Sequence, residues 1–431
     1  MNDQDDHPQR YALVNELHTR PSPRLEAPCT AVFLAVKQRG DAASRDRGRD
    51  VAHLADLCAR HGAARPDTTA GHYAGELGRY KLRWESHTEF VTYAAFVPGL
   101  PQRPFDPAAG AIFADDWQRQ APGKRIAAMM IQVDFLPDDP ADVMPRLSEW
   151  FADESLASVW VLQEAAVVAG DFRIDPAGWM RFAVFVKRGT DPGRIGRIVQ
   201  RLMELETYRV MSMLGLGRAR VVAQQLNELA PRLNDIVQNM SDESRPAEAL
   251  LHELLAVSAR LESAASEHAF RFGATAAYEA IVQDRVAALR ETRFMGGQML
   301  TEFMSRRYHP AMRTAKSAER RLNAMLARSE RAGELLRTRV DVWRGAQNQA
   351  LLQRMDSRAD LQLRLQHTVE GLSVVAISYY AVGLGGYLLS PLAYAAGIDK
   401  SVLIAGLTPV VVICVWLAMR RIKARLHDGQ H

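Results

Sequence analysis

Cysteine is scarce in this chain: its 431 residues include only Cys29, Cys58 and Cys414. None forms a CxxC pair, which excludes a disulfide framework and the usual thiolate zinc spacing, and suits a reducing compartment. Catalytic signatures are also missing. There is no GxSxG elbow, no P-loop, no HExxH and no GxGxxG after a strand. The chain is therefore not read as an enzyme. Net charge is small, +4, with acids and bases interleaved as on solvated helix faces, so nucleic acid is not an expected partner. Residues 1–10 are polar and lack the apolar core of a cleavable signal, which places the water-soluble part in the cytoplasm.

Long apolar runs are confined to the C-terminal end. No formal charge occurs in 371–398 or in 401–419, and each is as long as the roughly 20 residues a helix needs to cross the hydrocarbon core. They predict two transmembrane helices at about 371–391 and 401–419, within a region spanning 368–420. Arg420, Arg421, Lys423 and Arg425 follow the second run, Arg354, Arg358 and Arg364 precede the first, and only Asp399 and Lys400 lie between them. The positive-inside rule then puts both termini in the cytoplasm and makes the protein multi-pass in an inner (cytoplasmic) membrane, with 421–431 as a basic tail. Gly383, Gly385 and Gly386 give the first span a small-residue face for helix packing or for lining a pore. The lipid bilayer is the first expected partner, and further copies of the chain are the second.

Upstream, residues 1–10 read as a flexible tail and 11–19 as a short helix closed by Arg20-Pro21-Ser22-Pro23. Apolar runs rich in β-formers predict strands at 29–37, 80–84, 88–97, 126–136, 157–171 and 180–187. Helical spacing predicts helices at 50–61 and 142–152. Together 11–190 reads as an α+β cytoplasmic domain with a mostly antiparallel sheet. From Pro192 helix follows helix, and 191–367 reads as a long-helix bundle or coiled coil. Leu214-Gly215-Leu216-Gly217 is expected to break the first helix, Ser244-Arg245-Pro246 to start the next, and His309-Pro310 to kink or restart another. The fold class is thus an α+β domain, a long-helix bundle and a C-terminal two-helix transmembrane hairpin.

Two polar clusters carry the candidate chemistry. One is Asn15 to Pro21, with His18; the other is Trp84 to Phe90, with Glu85, His87 and Glu89. On a strand Glu85, His87 and Glu89 would share one face. Histidine with carboxylates can bind a divalent cation or transfer protons; the alternative is a hydrogen-bonded network pinning the N-terminal segment to the sheet.

The strings NELHTRP (from Asn15), ESHTEFVTY (from Glu85), ETYRVM (from Glu206) and LQLRLQHTVEGLSVVAISYYAVGL (from Leu361) resemble a family of uncharacterised bacterial proteins that carry a domain of unknown function. The resemblance covers nearly the whole chain and implies membrane anchorage, with no activity attached. The order of parts also resembles, more distantly, the CorA-type magnesium transporters, whose first spans line a pore. The Gly-Met-Asn signature of that family is absent, since Gly383-Leu384-Gly385-Gly386-Tyr387 stands in its place. Three functions follow as expectations: an oligomeric membrane-anchored scaffold or sensor, a CorA-like divalent-cation channel, or an enzyme built on His18 and His87.

Overall fold

The computed structural model describes residues 6–7, 9–11, 13–14, 21–38, 45–395 and 399–427. Two compact units divide it: Met1–Arg245 with Ala249–Gly333, and Pro246–Glu248 with Glu334–His431. The boundary expected at 190/191 therefore falls inside the first unit. The cause is shared burial, because the helix that starts at Pro192 completes the sheet's own core.

Among the described residues that sheet has nine strands: β1 (Cys29–Lys37), β2 (His72–Leu77), β3 (Tyr80–Ser86), β4 (Phe90–Pro98), β5 (Lys124–Phe135), β6 (Ala157–Val161), β7 (Ala166–Ile174), β8 (Met180–Val186) and β9 (Thr292–Arg293). Their order is β2-β3-β4-β1-β5-β8-β7-β6-β9. Every pairing is antiparallel except β5 with β8, as the mostly antiparallel expectation holds. β1 lies inside the sheet between β4 and β5 and is buried on both faces, which is why CTAVFLAVK reads as a largely apolar run.

On one face Val32, Leu34, Trp84 and Tyr93 pack under the helices α1 (Arg47–Arg60), α2 (Asp115–Arg119) and α3 (Val143–Trp150). On the other, Phe33, Ile131 and Phe182 pack under α4 (Pro192–Gln238) through Ile195, Ile198 and Leu202. Then come α5 (Ala247–Leu289), α6 (Leu300–Phe303), a π-helical turn at Met304–Tyr308, α7 (His309–Ala395) and α8 (Lys400–His427). The start of α5 after Pro246 matches the sequence signal, whereas at His309 the chain continues without a break from Leu300 through the π-helical turn. Within the first unit α4, α5 and the first part of α7 form the expected helix bundle. Leu226, Leu254 and Leu322 are buried there, and Ser258 meets Ser329 at 2.6 Å.

Two further expectations fail. The strand expected over 157–171 is a hairpin, β6 turning into β7. Leu162, Gln163 and Glu164 all take positive φ, which non-glycine residues adopt at a cost. Tertiary bonds hold them: Leu162 N donates to Leu289 O at 2.9 Å, and Arg194 donates to the Leu162 carbonyl. No turn residue announces this reversal, so the apolar run conceals it.

The second failure is at Gly215 and Gly217, where α4 runs through without a break. A Cβ on Gly215 would lie 2.2 Å from Thr275 Oγ1 on α5, so this glycine is a close-approach point between helices. Gly217 has open space around it. Opposite signs follow. Gly217→Ala should stabilise by about 0.5–1 kcal/mol through helix propensity. Gly215→Ala should destabilise by about 1–3 kcal/mol through overpacking against the stiff threonine. Urea midpoints of the two variants check this.

Two buried histidines make stability pH-dependent. His53 on α1 sits between Tyr93 Oη (Nδ1, 2.9 Å) and the Trp117 carbonyl (Nε2, 3.0 Å). A carbonyl only accepts, so Nε2 carries the proton and Nδ1 accepts from the tyrosine. His268 on α5 is fully buried, and neither ring nitrogen has a hydrogen-bond partner among the described residues. Burial lowers the pKa of both below the ordinary 6.5, outweighing nearby groups that raise it. The unfolded chain therefore binds protons that the folded one refuses. Stability should be flat above about pH 6.5 and fall as pH drops below it, by at most about 1.4 kcal/mol per pH unit for each histidine. Urea unfolding between pH 7.5 and 5 measures the slope; His268→Leu should reduce it.

Candidate functional site

Strand alternation sends Arg83 and Glu85 of β3, and Thr92, Ala94 and Phe96 of β4, to the sheet face that α4 covers. α4 answers with Gln200, Met203, Glu204, Thr207 and Tyr208, spaced as one helical stripe. Helix and sheet diverge near this edge and leave a cavity of about 310 Å³, closed by Phe33, Phe90, Pro23 and, from α5, Arg285. Its size is within the range of small-molecule sites. Pro23 is placed by a close crossing. Its carbonyl lies where a Cβ on Gly196 would fall, and Leu25 N donates to Pro192 O at 3.0 Å. An extended segment thus crosses the start of α4 and walls the cavity.

Charges line the rim in pairs. Arg285 Nε donates to Glu204, whose other oxygen accepts from Gln200 Nε2 at 2.8 Å. Across the cavity Arg83 Nη2 stands 3.8 Å from Glu85 Oε1. Burial pulls the Arg83 guanidinium below its ordinary pKa, and Glu85 restores part of the difference. The His87 ring stacks on Phe90 at 4.5 Å between centroids, with Nε2 3.4 Å from Thr92 Oγ1 and 3.8 Å from Glu85 Oε2. Its carbonyl accepts from Arg45, which also pairs with buried Asp50 at 2.7 Å.

Glu85, His87 and Glu89 do not share a strand face. β3 ends at Ser86, the chain reverses over 87–89, and His87 N donates to Phe90 O at 2.9 Å. Glu85 and His87 reach the cavity, whereas Glu89 turns into the interior. There it takes a bidentate pair from Arg271 of α5 and a hydrogen bond from Tyr278 Oη at 3.0 Å, with Lys37 Nζ at 3.7 Å. This is a structural clamp joining the β3–β4 turn to α5. His18 lies outside the described residues, as does most of the helix expected at 11–19. Among the described residues no three His, Cys, Asp or Glu side chains converge closely enough to hold a metal ion. The cavity's Arg83, Gln200, Glu204, Tyr208 and Arg285 were not singled out from sequence. Only the 83/85 alternation and the 200-203-204-207-208 stripe carried a signal.

In the second unit Gly385 and Gly386 of α7 face α8. Cβ atoms there would lie 2.9 Å from Leu407 and 3.5 Å from Ile404, whereas Gly383 has open space. Gly385 is therefore the tight point between the two helices of one chain, whereas a Cβ on Gly386 would make an ordinary contact. Among the described residues, two helices are long and apolar enough to cross a membrane.

Two of the strings noted in the sequence, ESHTEFVTY and ETYRVM, face each other across the cavity. No curated protein and no solved structure matches this chain. One family model matches residues 5–426, nearly the full length, and on that match the chain belongs to the family described as protein of unknown function DUF3422.

Proposed function

We propose that this protein is a membrane-anchored scaffold or sensor: a C-terminal helical hairpin held in the bilayer, carrying a head whose cavity takes a ligand. One observation carries the anchoring. The apolar stretch of α8 has none of its residues buried inside the protein, and that of α7 has 11% buried. A core helix of a water-soluble protein would hide such a surface, and these helices leave Leu372, Tyr379, Leu388, Val410 and Trp416 exposed. Lipid is the solvent that suits them. The basic residues after 419 favour a cytoplasmic C-terminus, and a hairpin then returns the head to the same side.

Cys414 offers a test, since it is exposed on α8 while Cys29 and Cys58 are buried. In sealed vesicles a water-soluble maleimide should leave Cys414 unlabelled until the protein is denatured. Rapid labelling in intact vesicles would mean that water surrounds α8.

Self-association is favoured by a separate feature. α7 exposes Trp343, Leu351, Leu352, Met355, Leu361 and Leu365 ahead of the apolar stretch. Packing against further copies would cover them, and a mass in mild detergent corresponding only to monomer would refute it. The packing of Gly385 within the hairpin favours anchoring over a CorA-like pore.

A further inference from the structure

Arg83 stands in the cavity wall with little to satisfy its charge. Its side chain is 18% exposed, its nearest ionic partner is Glu85 Oε1 at 3.8 Å, and that distance is too long for a hydrogen bond. Among the described residues nothing accepts from its guanidinium. A planar fork with five donors is thus largely withdrawn from water at the wall of a cavity. An arginine so placed is expensive unless something pairs with it. Glu204 on the facing wall is not available, because Arg285 and Gln200 already occupy its two oxygens.

The cavity's apolar lining includes Phe33, Phe90, Phe96 and Met203. We propose that this cavity binds a small monocarboxylate with an apolar body, its carboxylate forked on Arg83 and its body against the phenylalanines. Bidentate pairing is the arrangement in which arginine and carboxylate geometry match. A single negative charge suits the site, since Arg285, the other arginine of the lining, is already paired with Glu204 and leaves Arg83 to meet the ligand. The volume of about 310 Å³ admits an aryl- or alkyl-carboxylate. This deepens the reading of the cavity as the ligand site and is independent of membrane anchorage, so failure of one leaves the other standing.

Calorimetric titration of the purified full-length protein tests it, with 3-phenylpropionate and hexanoate as probes and 3-phenylpropionamide as the uncharged match. Saturable binding of at least one acid is expected, with the amide at least tenfold weaker. Arg83→Met should lower the acid's affinity at least tenfold. Ala94→Leu, which fills the cavity and keeps the charge, should do the same. The proposal is overturned if neither acid binds, if acid and amide bind alike, or if the acid binds Arg83→Met as well as the parent protein. The acid–amide contrast needs no variant and decides the matter even if Arg83→Met does not fold.

Discussion

Glu89→Ala should destabilise the head by about 3–5 kcal/mol, the range for removing one partner of a buried ion pair. Glu89 is 2% exposed and answers Arg271, itself 9% exposed, together with Tyr278 and Lys37. Alanine would leave the arginine buried without its counter-charge, at the junction of the β3–β4 turn and α5. Burial holds the Tyr278 hydroxyl protonated well above its ordinary pKa, so it remains a donor to the carboxylate throughout the accessible pH range. Two companions separate the charge from the packing. Tyr278→Phe removes one neutral donor and should cost about 1 kcal/mol. The double replacement Glu89→Leu with Arg271→Leu removes both charges and should recover most of the loss. Urea unfolding of the three variants measures this; a Glu89→Ala midpoint equal to that of the parent would show that water, not Arg271, meets the carboxylate.

Ile413→Arg is the second large effect, and its direction depends on what surrounds α8. Ile413 lies in the middle of that helix and is 57% exposed. In lipid a central arginine costs about 2.5–3.5 kcal/mol of insertion free energy, and the membrane-bound fraction should fall accordingly. Were α8 in water, an exposed isoleucine replaced by arginine would change stability by no more than about 0.5 kcal/mol and improve solubility. Fractionation of cells expressing each form distinguishes the outcomes.

The parts of the fold visible from sequence are those where one face or all faces must be apolar. β1, β4, β5 and β8 show as runs of β-formers because helices cover both sides of the sheet. The uncharged stretches of α7 and α8 show for a different reason, the little protein that covers them. β2 was missed because HYAGEL sits at the sheet edge with little buried, so its composition is that of a loop. The reversal at 162–164 was missed because its left-handed residues are held by Arg194 and Leu289, far away in sequence.

The candidate site was half visible. Glu85 and His87 were singled out as a polar cluster and do line the cavity. Reading them on one strand with Glu89 failed because a turn intervenes, and a period-two rule cannot see a turn that lacks glycine and proline. Arg83 was hidden among ordinary strand residues, and Arg271, the partner of Glu89, is 182 residues away. Burial and pairing across helices decide such roles, and neither is encoded locally.

The exposed apolar hairpin should belong in lipid. Flotation of the purified full-length chain with phosphatidylcholine vesicles in a density gradient, after a high-salt and alkaline wash, measures this directly. The protein should rise with the vesicles and stay with them through the wash. Protein that remains at the bottom of the gradient, soluble and monodisperse without detergent, would contradict the account.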